Sequence, residues 1–273
     1  MGNIFLDLLG IRAESWAELI ERARHARNTM LDGGEAVRDH VDPFERVADE
    51  RFDPMSHLEG FVVVDRRDVP NEDRRKRGRS QGLRAVSNVK ALCVHQTATN
   101  ALGPDHPRLL GLPAHAHVGE RKDGTVVVTL LHPVTAYLYH GHGWNRDTIG
   151  IEVQARAAGA VGKRRTFWRS SKEKATGKSY EELVREPSAG KLAAVRALTK
   201  YYAALMAQRK SPLVAVVTHR QSARKPSDPG EAIARVAFEA GRQLGFEDWA
   251  LKTRGKGRPA PDSWTGLANG VKY

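Results

Sequence analysis

Apolar, β-branched runs of strand length recur along the chain, and stretches with helical spacing separate them. FVVVD at 61–65, VKALCV at 89–94, TVVVTLL at 125–131, TIGIEVQ at 148–154 and LVAVVT at 213–218 each read as a buried strand. Residues 189–208 set Leu192, Val195, Leu198, Tyr202, Leu205 and Met206 at the i, i+3, i+4 spacing of a helix packed on a sheet. A further helix is predicted over 231–244, after Pro229 and Gly230. Near the start, Trp16, Leu19, Ile20, Ala23 and Ala26 mark an amphipathic helix over 14–30, ended by Asp32, Gly33 and Gly34, and another short helix is expected within 35–58.

This alternation predicts an α/β fold, a mixed central β-sheet flanked by helices, preceded by a mainly helical N-terminal appendage. The expected divisions are 1–80 for the appendage, 81–250 for the body and 251–273 for a basic, extended tail. Within the body, the Lys-, Ser- and Gly-rich segment 155–187 reads as an insertion. Residues 66–82, basic and broken by Pro and Gly, read as a loop.

Composition narrows the class. The chain has 273 residues, 40% hydrophobic and 28% charged, which suits a globular protein rather than a disordered one. No apolar run approaches the ~20 residues of a membrane-spanning helix. The single cysteine, Cys93, excludes an internal disulfide and reads as a small buried hydrophobe. Asp7 and Arg12 break the first apolar stretch, so it does not read as a secretory signal, and synthesis in the cytoplasm is expected.

The net charge of +12 is unevenly spread: residues 1–60 carry −6 and the remainder +18. Basic residues cluster at 74–79, 163–178 and 252–258. Such clusters are either solvated loops or a surface for a polyanion, with nucleic acid and the anionic polymers of a bacterial envelope as the two classes of partner. Nucleic acid is disfavoured because the runs lack the interleaved aromatics of a base-stacking platform.

Seven of the eleven histidines fall within residues 95–142. His95 directly follows one apolar strand and His219 another, the place beyond strand ends where functional groups gather. Neutral imidazole is the commonest metal ligand, and hydrolytic zinc takes three protein ligands plus an open position. Asp228, nine residues past His219, is the candidate for the third, with a helix N-cap as its alternative role.

VHQTA at 94–98, AHVGERKDGT at 116–125, HGHGWNRDTIGIE at 140–152 and the segment from Thr218 and His219 to Asp228, Pro229 and Gly230 resemble, in order, four blocks of the zinc-dependent N-acetylmuramoyl-L-alanine amidase and peptidoglycan-recognition-protein superfamily. The likeness covers about residues 84–245. It implies Zn2+ held by His95, His219 and Asp228, with Glu152 as the proton shuttle and Lys225 as the stabiliser of the developing oxyanion. Lys225 stands three residues before Asp228, whereas the acidic-ligand members place the lysine two before, where this chain has Pro226; Arg224 or a backbone group is the alternative. The same likeness implies substrate-orienting roles for His117 and His140. His115, His132 and His142 read as structural or surface residues, and Asn145 as the holder of the turn before TIGIE. The activity implied is cleavage of the amide between N-acetylmuramic acid and L-alanine in peptidoglycan, by an endolysin that acts on the wall after release. An effector, a recycling amidase and a non-catalytic peptidoglycan-binding module are the alternatives.

Overall fold

The computed structural model describes residues 53–67, 80–98, 102–169 and 171–273. The helix predicted over 14–30, most of the short helix expected within 35–58 and the basic run at 74–79 lie outside the described residues. The described residues hold eight strands: β1 (Val62–Asp65), β2 (Ser80–Leu83), β3 (Ala91–Gln96), β4 (Ala116–Glu120), β5 (Val126–Leu130), β6 (Ala136–Leu138), β7 (Thr148–Val153) and β8 (Ala215–Thr218). Six form one sheet in the order β1-β5-β4-β7-β3-β8, and β2 pairs with β6 apart from it. All neighbours in the large sheet are parallel except β4 and β5, which form an antiparallel hairpin. That hairpin turns at Asp123 and Gly124, where Gly124 takes a φ of +85° that a side chain would resist. The sheet is therefore mixed, as the sequence predicts.

Among the described residues, the α-helices are α1 (Ser171–Ala175), α2 (Tyr180–Leu183), α3 (Ala189–Gln208), α4 (Glu231–Gln243) and α5 (Asp262–Thr265). Ser188 caps α3, its hydroxyl accepting from the Lys191 amide. Side chains alternate across a strand, so register decides which residues share a face. On one face Leu92 and Val94 of β3, Ile149, Ile151 and Val153 of β7 and Val216 of β8 join Val195, Leu198, Tyr202 and Met206 of α3 and Ile233, Ala237 and Phe238 of α4 in the main core. On the other face lie Cys93 and His95, Gly150 and Glu152, Val217 and His117. Trp144 packs against Cys93 and Val217 there, and Trp249 closes over them.

Three segments carry structure that the sequence pattern does not supply. β1, which precedes residue 80, is an edge strand of the main sheet, because its valines find parallel partners on β5. The 155–187 segment carries α1 and α2 and is tied at its base by paired hydrogen bonds between Arg156 and Arg185 (2.8 and 2.9 Å). The stretch 253–273 is not an extended tail. Trp264 is fully buried and its indole donates to the Gly159 carbonyl, while the Tyr273 hydroxyl donates to the Pro226 carbonyl (2.7 Å). Two large aromatics among many polar residues bury enough apolar surface to fold this stretch onto the body.

Candidate metal and catalytic site

Register assembles the site from neighbouring strands. His117 of β4 is paired with Glu152 of β7, and Glu152 with His95 of β3. Thr218 of β8 pairs with Val94, so His219 follows in line beside His95. The loop after β8 then doubles back, with the Arg220 amide donating to the Asp228 carbonyl (3.0 Å), and this returns Asp228 to the row. Arg220 anchors the loop: its guanidinium donates to the carbonyls of Pro226 (2.8 Å) and Pro259 (2.9 Å) and lies over the rings of Trp264 and Tyr273.

His95 Nδ1 stands 3.0 Å from His219 Nδ1, which stands 2.9 Å from Asp228 Oδ2. The three ligand atoms lie within 4.8 Å of one another. Asp228 Oδ1 accepts from the Gln96 amide (3.0 Å), which leaves Oδ2 facing the histidines. The Gln96 side chain donates to the Ser227 carbonyl (2.7 Å) and accepts from the Ala157 amide (2.6 Å), tying the Asp228 loop to the base of the 155–187 segment. Burial holds His95 well below the usual imidazole pKa, with His219, His140 and Lys225 adding to the effect, so the ring is neutral and able to coordinate. Two ligand nitrogens about 2.0–2.1 Å from a tetrahedral zinc stand roughly 3.3 Å apart, close to the spacing seen here. Two imidazoles and a carboxylate with one free oxygen thus fit that ion.

Cys93, His95 and His140 form a second group within the same distance. Burial, and then the charges of Asp228 and Glu152, push the Cys93 thiol well up. A metal is bound by thiolate, so the first group is the better donor set.

Glu152 is partly buried, and its buried Oε2 has no hydrogen-bond partner among the described residues. Burial and the Asp228 charge raise its pKa to about 8, against the opposing pull of Lys225. His117 is fully buried and neither ring nitrogen has a partner of hydrogen-bonding geometry among the described residues, although the Leu102 backbone is near enough to oppose part of the fall in its pKa to about 3, which burial causes. Its ring sits where Gly119 leaves room, since a Cβ there would come within 2.7 Å of His117 Cε1. Lys225 Nζ is 3.7 Å from Asp228 Oδ2 and half exposed, while the neighbouring Arg224 is exposed. His140 is 4% exposed and enclosed by His95, Thr148 and Gly150. Asn145 Oδ1 accepts from the Gly141 amide (2.6 Å) and so holds the turn.

Of the other histidines, His115 is buried and its Nδ1 accepts from the Gly150 amide (3.0 Å). His132 is buried, and His142 is exposed with its ring 5.4 Å from that of His219. Sequence reasoning passes over Arg84, whose buried guanidinium donates to the carbonyls of Val134, Asn145, Arg146 and Thr148. No local pattern marks it, because its partners lie 31 to 64 positions away.

A family model described as N-acetylmuramoyl-L-alanine amidase matches residues 85–231, more than half of the chain. Among solved structures, the chain is similar to an endolysin N-acetylmuramoyl-L-alanine amidase, LysCS, from Clostridium intestinale URNW, with 17% identity over 68% of this chain and 96% of that one and a TM-score of 0.41. It is similar also to the Ph2119 endolysin from Thermus scotoductus MAT2119 bacteriophage Ph2119 (15%, 66% and 98%, 0.37). A third is the amidase AmiD from E. coli in complex with anhydro-N-acetylmuramic acid-L-Ala-D-gamma-Glu-L-Lys (22%, 62% and 62%, 0.37). No curated protein matches by sequence.

Proposed function

The chain belongs to the N-acetylmuramoyl-L-alanine amidase family, and from that premise we propose that it is a zinc-dependent hydrolase of the amide between N-acetylmuramic acid and L-alanine. The observation that carries the zinc reading is the convergence of His95 Nδ1, His219 Nδ1 and Asp228 Oδ2. When bound there, zinc supplies a Lewis acid for the amide carbonyl and acidifies a coordinated water.

The chain's own groups supply the rest. Glu152, beside His95 in register and unpartnered at Oε2, accepts the proton of the attacking water and passes it to the leaving alanine amine. Lys225, poised over Asp228, places a cation at the rim where the carbonyl oxygen gains charge. His117, beside Glu152 in register and with neither ring nitrogen partnered in hydrogen-bonding geometry among the described residues, orients the substrate. The role in the cell is wall lysis as an endolysin, with the +18 charge of residues 61–273 favouring an anionic envelope.

Digestion of purified peptidoglycan followed by mass spectrometry tests the reaction. Stem peptides with a free alanine amine are expected, with release lost in chelator, restored by zinc and abolished in His95→Ala. New reducing sugar ends would show a glycosidase instead, and chelator-resistant release would remove the metal from the reaction.

A further inference from the structure

His140 lies behind His95, on the side away from His219 and Asp228. Its Nε2 faces two oxygens, the Thr148 carbonyl (3.2 Å) and the Thr148 hydroxyl (3.3 Å). That hydroxyl gives its own proton to the Trp144 carbonyl (2.8 Å), so it meets His140 as an acceptor. Nε2 of His140 must therefore carry the ring proton. The described residues place no carboxylate against this buried ring to support a second proton, so Nδ1 keeps its lone pair. That lone pair points at His95 Nε2, 3.1 Å away, which must then be the N–H donor.

The other end of His95 leads to the same assignment. His219 Nδ1 sits between Asp228 Oδ2 (2.9 Å) and His95 Nδ1 (3.0 Å). A carboxylate oxygen only accepts, so His219 Nδ1 is the donor when no metal is bound, and His95 Nδ1 accepts. Both ends thus deny His95 Nδ1 a proton, and the chain Trp144, Thr148, His140, His95 is a directed relay of donors and acceptors.

We propose that His140 is a positioning residue: it accepts from His95 Nε2 and locks His95 in the tautomer whose Nδ1 lone pair faces the zinc position. A metal-ligating imidazole needs its second N–H satisfied, and groups that do this commonly change metal affinity about 10- to 100-fold. The seat is built for the ring. Gly150 of β7 lies beneath it, where a Cβ would come within 2.7 Å of His140 Cγ and Nδ1.

The proposal rests on the zinc reading for its function, while the relay itself can be tested without metal. Nitrogen-15 NMR of histidine-labelled, chelator-treated protein reports which ring nitrogen is protonated. A protonated Nε2 and a bare Nδ1 on His95 are expected, and the reverse tautomer in the wild-type protein overturns the relay. Zinc affinity is then measured by chelator competition on variants whose folding is checked by circular dichroism. His140→Leu, which removes the acceptor, should bind zinc about 10- to 100-fold more weakly. His140→Asn, whose amide oxygen falls near the place of Nδ1, should recover most of the loss. Wild-type affinity in folded His140→Leu overturns the positioning role, as does equal weakening in folded Leu and Asn variants. If the wild-type protein binds no zinc, the metal reading of the proposed function fails, and the wild-type tautomer alone decides the relay.

Discussion

At the scale of single residues, the candidate site sets imidazoles that burial keeps neutral beside Glu152, which burial pushes toward its protonated form and which the proposed reaction needs ionised. Glu152→Gln preserves size and removes the exchangeable proton, so hydrolysis should fall about 10²- to 10⁴-fold while zinc stays bound. Metal loss in that variant, read by elemental analysis, would give Glu152 a structural rather than a proton-transfer role. The raised pKa also has a sign for stability in the metal-free protein. Folding favours protonated Glu152, so its contribution is full below about 4.5 and is lost as pH rises towards about 8. His117 and His140, both lowered to about 3 by burial, act at the acid end: their contribution is present above the ordinary imidazole pKa and is lost as pH falls below it towards about 3. Urea titrations of chelator-treated protein should therefore show stability falling from pH 5.5 to 8 more steeply in wild type than in Glu152→Gln. Parallel slopes would mean that Glu152 does not titrate there. Gly150→Ala pushes a methyl against the His140 ring and should cost about 1–3 kcal/mol, read from the same titrations.

At the scale of elements, β3, β5, β7 and β8 were legible because buried parallel strands read as continuous apolar runs. Helix α3 is legible along its length, Ala189–Gln208, and begins where Ser188 caps it. β4, with Gly119 and His117 in five residues, carries too little apolar signal to be seen except through the turn that follows it. The positions of His95, Glu152, His219 and Asp228 could be named from motif and strand end. The seat of His140 could not, because it depends on which residue of β7 lies beneath it, and register between strands far apart in sequence leaves no local mark. Leu198, fully buried where α3 meets the sheet, tests how much the core face supports the site face. Leu198→Ala should lower stability by about 2–5 kcal/mol in denaturant titrations while leaving zinc affinity of the folded protein near wild type. A parallel loss of affinity would show that strain passes through the sheet.

At the scale of the whole molecule, charge and fold serve different ends. Long-range attraction between exposed charges is screened over about 8 Å at physiological salt. Sedimentation with purified walls should therefore show binding that weakens steeply between about 0.05 and 0.5 M NaCl. Binding unchanged across that range would assign wall retention to contacts other than charge.

The placement of His117, Glu152 and His95 on β4, β7 and β3 has a further consequence. β7 and β3 are interior strands, with neighbours on both sides, and their backbone hydrogen bonds are among the last to open. Fraying at an edge or a loop cannot separate His95 from Glu152; only rupture of the sheet can. Amide exchange at Val94 and Ile151 should thus proceed through global unfolding, whereas His219 and Asp228 follow the edge strand β8, so activity on heating should be lost at or before the melting transition.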